Sequence, residues 1–298
     1  MKKFLIAAAL AVAGATATQA ADLPARPFAK APAMVDPAYN WTGFYVGVNA
    51  GYGWGRETAD YAGGDTLTSF LFSFTGPLGG GTPPGPAGVN PKGAFGGVQA
   101  GYNWQINKFV VGVEVDFDGA DIRGRGVSPF LFNPFAFANP AANAFANQHV
   151  KWFGTVRGRI GFTPVDKLLL YATGGFAYAR IDEDPSITLA TSIDSGGFGF
   201  GFSCTANVTC FQGSSSRTAT GGTVGAGAEY ALSQNITVKA EYLFMSLNGA
   251  STRATALVEG IPPGSNLASV IVNYGRLDLH TVRVGLNYKF GGRAVTRY

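Results

Sequence analysis

The stretch Trp41 to Gly55, WTGFYVGVNAGYGWG, alternates strictly. Phe44, Val46, Val48, Ala50, Tyr52 and Trp54 share one parity, and Tyr45, Gly47, Asn49, Gly51, Gly53 and Gly55 the other. Successive side chains of a strand point to opposite faces, so this segment has one greasy face and one nearly bare one. The pattern returns in seven further runs. Ala94–Gln105 sets Val98, Ala100, Tyr102 and Trp104 against Gln99, Gly101 and Asn103. Phe109–Asp118 sets Phe109, Val111, Val113, Val115 and Phe117 against Gly112, Glu114, Asp116 and Asp118. Val150–Phe162 sets Val150, Trp152, Val156, Ile160 and Phe162 against Lys151, Thr155, Arg157 and Arg159. Leu168–Ala179, Gly222–Leu232, Ile236–Phe244 and Val282–Phe290 complete the set, the last three carrying Glu229, Lys239, Glu241 and Arg283 on their polar faces.

Each run is close to the ~9–11 residues with which a tilted strand crosses a bilayer. The connections alternate in length. Ile106–Lys108, Thr163–Lys167 and Ser233–Asn235 are short, whereas the other four run to roughly 25–40 residues, well beyond hairpin loops of ~2–5. Short turns at one end and long loops at the other are the outer-membrane barrel pattern. The expected fold is all-β: an eight-stranded antiparallel transmembrane β-barrel over residues 41–290, with four long extracellular loops and three short periplasmic turns. After the N-terminus, no segment has the roughly 18 continuous apolar residues of a membrane helix. A chain of this kind can span lipid only as a closed barrel, because lipid offers nothing to an open sheet edge.

The N-terminus, MKKFLIAAALAVAGATATQA, has two lysines, an apolar run and small residues at Thr18 and Ala20. This is the pattern of a secretory signal peptide, residues 1–20, with cleavage expected after Ala20. Residues 21–40 are rich in proline and alanine and read as a periplasmic lead-in. Residues 291–298 form a short C-terminal extension. The formal net charge of +4 falls when the signal's lysines are removed, and it makes no case for nucleic acid.

Alternation alone does not separate a membrane barrel from a soluble one with its greasy face inward. The distribution of residue types does. Phe44, Trp104, Phe109, Phe162, Tyr230 and Tyr288 fall at the expected periplasmic edge, and Trp54, Phe117, Trp152, Tyr178 and Phe244 at the outer edge. Two aromatic girdles suit two headgroup layers. The polar faces mix glycine with Glu114, Asp116, Arg157, Arg159, Glu229, Lys239, Glu241 and Arg283. A lumen of eight strands is only just wide enough for side chains, so glycines make room and opposite charges can pair. The expected partner of the greasy face is therefore outer-membrane lipid.

The segments NWTGFYVGVNAGYGWG, GGVQAGYNWQ, LLLYATGGFAYA and VRVGLNYKF resemble the alphaproteobacterial outer-membrane surface antigens. These are often called outer membrane immunogenic proteins and are related to opacity proteins and OmpA-type transmembrane domains. The resemblance covers about Asn40 to Phe290 and is strongest in the strands. It implies a surface-exposed eight-stranded barrel in the outer membrane of a Gram-negative cell. Relatives are described as porins, as haemin-binding proteins and as envelope-stability factors, and no motif here carries any one of those roles over. Arg283, Gly285, Tyr288 and Phe290 resemble the C-terminal signal read by the barrel assembly machinery, which is thus an implied partner during biogenesis.

Two cysteines, Cys204 and Cys210, stand in SCTANVTC. In an exported chain this spacing favours a small disulfide staple worth roughly 2 kcal/mol, and a zinc or redox site would need other spacing and more ligands. The sequence leaves their oxidation state open. His149 and His280 are isolated, so no metal or cofactor is expected. No G-x-S-x-G elbow or P-loop is present, and the chain is expected not to be an enzyme. The luminal charges have two readings, an ion-selective pore or a packed plug, and the cost of unpaired buried charge favours the plug. Phenylalanines alternate in Ser69–Phe74, Pro129–Phe137 and Phe198–Phe202; these segments either pack on each other or present an apolar patch to host or environmental surfaces. The leading function is a non-catalytic surface barrel serving envelope integrity and surface contact. The alternatives are a small-solute porin, a receptor for haemin or another ligand, and last a soluble exported binding barrel.

Overall fold

The computed structural model describes residues 39–73, 83–131, 141–190, 193–194, 203–257 and 268–291. The signal peptide, the lead-in up to residue 38, the FGFGF motif and residues 292–298 lie outside the described residues.

The strands are β1 Gly43–Gly63, β2 Ala87–Val89, β3 Lys92–Ile106, β4 Phe109–Leu131, β5 Ala141–Val165, β6 Leu168–Glu183, β7 Ser186–Leu189, β8 Ile193–Asp194, β9 Ser203–Cys204, β10 Thr209–Gln212, β11 Ser215–Ala231, β12 Ile236–Leu247, β13 Ala250–Ala256, β14 Ser269–Tyr274 and β15 Leu277–Lys289. Among the described residues one helix, α1, spans Thr66–Ser73. All ladders are antiparallel. β1 pairs with β3 on one side and β15 on the other. From β15 the pairing passes to β12, β11, β6, β5, β4 and back to β3. The circuit closes, so these long strands leave no edge to recruit another chain. Each of the eight predicted runs maps onto one of its strands.

The structure has more strand than the sequence pattern predicts. Among the described residues thirteen strands join one sheet rather than eight, because pairing continues past the point where the outward apolar rows stop. β4 and β5 reach 23 and 25 residues. Beyond the rows, β1 pairs with β14, β14 with β13, β13 with β10, β10 with β7 and β7 with β5. Much of the length expected as loop is therefore paired strand. Its inward row contains Ala142, Ala144 and Ala146, small residues that give little hydrophobic contrast. Of the segment Ser69–Phe74, whose phenylalanines alternate, residues 69–73 lie in α1, and Phe74 and residues 132–137 of the second phenylalanine segment lie outside the described residues. Asp65 caps that helix, its Oδ1 accepting from the Thr68 amide at 2.9 Å, as an N-cap acid should.

A bulge corrects one face assignment. Val150 and Trp152 were expected on the same side, but the ladder to β6 shifts between them. One extra residue reverses the parity. Val150 is fully buried inside, and Lys151 points outward.

The two faces divide cleanly. Phe44, Val48, Val98 and Val284 are exposed on the outside, Val48 and Val98 by 57% and 58%. The inside is stacked in layers. Tyr39, Trp41, Val110, Leu169, Tyr171 and Ala231 fill the short-turn end. A layer of charge follows. Above it lies an apolar layer that includes Phe95, Ile122, Phe153, Met245 and Leu279. A second, smaller polar layer holds Glu57, Gln148, Glu183 and Arg217. An apolar cap including Phe130, Ile187, Phe211 and Val272 closes the long-connection end.

Candidate functional site

The inward parity of the long strands brings all eight predicted luminal charges into one layer. It also adds Asp118 from β4 and Lys289 from β15. The result is five acids facing five bases, none more than 5% exposed. Arg157 is the hub. Its guanidinium donates to Glu114 at 2.5 Å, to Asp116 at 2.8 Å and to Glu241 at 3.0 Å. Thr155 receives its Nε–H at 2.7 Å. Arg283 donates through Nε to Glu241 at 2.6 Å and through Nη2 to Asp116 at 3.1 Å. Its Nη1 stands 3.5 Å from Asp118. Lys239 donates to both oxygens of Glu114, at 2.8 and 3.0 Å.

Arg159 extends the network towards the short-turn end. It pairs with Glu229 at 2.8 Å and donates to the Tyr45 hydroxyl at 3.0 Å. Tyr45 in turn donates to Glu114 at 2.7 Å. The Tyr171 ring lies 4.1 Å beneath the Arg159 guanidinium, and the Tyr171 hydroxyl donates to Glu241 at 2.9 Å. Glu229 also accepts from Thr237 at 2.5 Å and from Asn287 at 2.8 Å. Lys289 closes the bottom, its ammonium 4.1 Å from the Tyr39 ring centre. Charge-assisted contacts of this number offset the several kcal/mol that each buried ion costs in solvation.

Sequence parity places Asp118 and Lys289 on the polar faces, and the same parity would have found Tyr45, since it shares the glycine row of β1. Parity does not say which side chain reaches which. The predicted assembly signal splits between environments. Arg283 belongs to the cluster and Gly285 lines the interior, whereas Tyr288 and Phe290 point outward, with Phe290 stacked 5.6 Å from Phe44. Cys204 and Cys210 are disulfide-bonded, with Cα atoms 5.7 Å apart, and belong to the apolar cap. His149 contacts Asp121 at 3.0 Å, and His280 shares a 2.6 Å hydrogen bond with the Tyr242 hydroxyl on the outer face. Among the described residues no group of three or more His, Cys, Asp or Glu is arranged to hold a metal ion.

A closed antiparallel circuit with its bulky apolar row outside and its charges inside has its polarity inverted relative to a soluble barrel. Residues 6–290 match the family model described as outer membrane protein beta-barrel domain. The chain belongs to this family. Among its relatives, the 31 kDa outer-membrane immunogenic protein of Brucella melitensis is 35% identical over 97% of this chain and 100% of its own length. The 22 kDa outer membrane protein of Rhizobium leguminosarum is 30% identical, over 71% of this chain and 67% of the relative. Among solved structures, the outer membrane protein OprG of Pseudomonas aeruginosa aligns at 14% identity and a TM-score of 0.41, over 86% of this chain and 99% of that one, a likeness too slight to inform the site. This member of the outer-membrane barrel family is thus an outer-membrane protein, as the resemblance implied.

Proposed function

We propose that this protein is a closed, non-catalytic surface barrel. In this reading the eight long strands of the primary circuit cross the outer membrane, their outward rows from Phe44 to Trp54 and the equivalents facing lipid. The upper circuit stands outside the cell as a folded extension, and the short turns face the periplasm. The protein stiffens the envelope and presents its outer end to the surroundings. Lipid is its standing partner, and the barrel assembly machinery its partner during biogenesis.

One observation carries the proposal: the charge layer is balanced five against five with no member more than 5% exposed, and it is bounded by apolar layers above and below. A conducting lumen needs a hydrated path, and ordered charges lining water would be solvated rather than consumed by one another. The test is single-channel recording of the purified, folded protein in planar bilayers. Silence at all voltages supports a closed barrel. Reproducible unit conductance by the unmodified protein would replace this reading with the small-solute porin.

A further inference from the structure

We infer that the second polar layer, around Glu57, is a binding site for one small monovalent cation held by side-chain oxygens. The layer lies between the apolar layer of Ile122, Phe153 and Met245 and the apolar cap of Ile187, Phe211 and Val272. Glu57 of β1, Gln148 of β5 and Glu183 of β6 meet there, none more than 4% exposed. Gln148 and Glu183 stand directly opposite on their ladder. Gln148 is also opposite Gly124 of β4, where a Cβ would come within 3.0 Å of a Val89 methyl. The bare glycine leaves the amide room to reach Glu57, and Gln148 Nε2–H donates to Glu57 Oε2. Glu183 has both oxygens engaged: Oε1 accepts from Arg217 Nε at 2.9 Å and Oε2 from Thr252 Oγ1 at 2.8 Å.

Two buried acceptors are left over. Among the described residues nothing hydrogen-bonds to Glu57 Oε1 or Gln148 Oε1. Each shares a planar group with an atom of the Glu57–Gln148 contact, so both oxygens border that contact. Carboxylate and amide oxygens are the ligands of hard cations. The charge has the matching sign and size. Glu57 and Glu183 are opposed by Arg217 alone, which leaves one uncompensated negative charge among apolar neighbours, a costly arrangement. A monovalent cation cancels it, whereas a divalent one leaves a buried positive charge in its place. The layer adjoins solvent at Arg217, whose side chain is 16% exposed, whose Nη1 donates to the Asn248 carbonyl at 2.7 Å and whose Nη2 is also without a partner among the described residues. Burial pushes the Glu57 carboxyl up to about 8, with Glu183 adding to the rise and Gln148 and Arg217 opposing it. Tyr274 of β14 faces the same carboxylates, with Tyr61 and the exposed Asp184 beyond it. Proton and cation therefore compete for Glu57, and the cation gains as pH rises.

The test uses the full mature protein folded in detergent, as wild type, Glu57→Gln and Gln148→Leu. Samples in N-methylglucamine chloride with EDTA are titrated with NaCl at constant ionic strength and pH 9, where Glu57 is ionised. Urea unfolding and hydrogen exchange in β13 and β14 are followed together, so that opening of the upper circuit alone is also read. A cation bound only by the folded state lowers the opening constant about tenfold for each tenfold rise in its concentration above the dissociation constant. Wild type should follow that unit slope with Na+. Glu57→Gln should show no dependence, and Gln148→Leu should need more Na+ for the same effect. In weakly buffered solution near pH 7, Na+ should release up to about one proton per chain from wild type and none from Glu57→Gln. Indifference of the wild type to Na+ at pH 9 overturns the site and leaves Glu57 holding a proton only. An equal response by Glu57→Gln overturns it as well, and a response to Ca2+ in place of Na+ overturns the monovalent assignment. Should Gln148→Leu fail to fold, the comparison of wild type with Glu57→Gln decides by itself.

Discussion

Arg157 on β5 and Glu241 on β12 meet at 3.0 Å across the barrel interior, although 84 residues separate them in the chain. The bond spans from one side of the circuit to the other. It ties together strands that share no ladder, and Glu114 and Asp116 hold the same guanidinium from a third strand. The charge cluster therefore braces the circuit across its interior as well as along its ladders.

Reversing the hub should be costly. Arg157→Glu places a fourth carboxylate against Glu114, Asp116 and Glu241, where removing one partner of a buried pair already costs about 3–5 kcal/mol. Chemical unfolding in detergent should show a loss at least of that order. A variant as stable as wild type would show that the cluster contributes no bracing.

Glycine at position 227 is set by the close approach of its neighbours rather than by its own φ. A Cβ there would stand 2.6 Å from the Tyr171 hydroxyl and 2.7 Å from the Ala240 carbonyl. Gly227→Ala should push Tyr171 off Glu241 and destabilise the barrel by about 1–3 kcal/mol, the usual cost of overpacking. The unfolding midpoint checks it, and Gly291→Ala, with open space around its Cβ but a positive φ of 82°, is not a neutral control; Gly88→Ala, also in open space, is.

Glu57 should make stability depend on pH. It lies beyond Trp54, above the apolar belt, and burial pushes its carboxyl from 4.5 up to about 8, with Glu183 adding to the rise and Gln148 and Arg217 opposing it. Between those two values the folded state holds a proton that the unfolded chain releases. The contribution of this group to stability is therefore fully present below about 4.5 and is lost as pH rises from about 4.5 to about 8. Glu57→Gln should flatten this slope and raise stability at neutral pH. The measurement is the unfolding midpoint from pH 4 to pH 9, and an unchanged slope in the variant would refute the assignment.

The disulfide should matter only locally. Cys204 and Cys210 lie in the apolar cap, distant in the stack from the charge layer, and a loop this small stabilises by about 2 kcal/mol. Cys204→Ala/Cys210→Ala should speed hydrogen exchange and proteolysis in residues 203–212 while leaving the unfolding midpoint of the long strands within a degree or two. A global loss of stability would show that cap and barrel unfold as one unit.

The lower barrel is legible in the sequence because lipid imposes a strict rule. Each crossing strand must show bulk to the outside and small or polar groups to the inside, so Phe44 to Trp54 and Val282 to Phe290 announce their faces residue by residue. The upper circuit obeys no such rule. Its inward row includes Ala142, Ala144 and Ala146, which bury themselves with too little contrast to stand out. The bulge after Val150 is likewise silent, since one inserted residue changes the parity without changing the composition.

Period two by itself determined which side chains share the interior: Glu114, Asp116, Arg157, Arg159, Glu229, Lys239, Glu241 and Arg283 all follow from it, and so does the girdle of rings outside. Only the tertiary structure decided which acid meets which base, that Tyr45 and Tyr171 join them, and that apolar layers close the stack at both ends. Parity is a property of one strand, whereas the distance from Arg157 to Glu241 depends on the stagger and closure of the entire circuit, to which every ladder contributes.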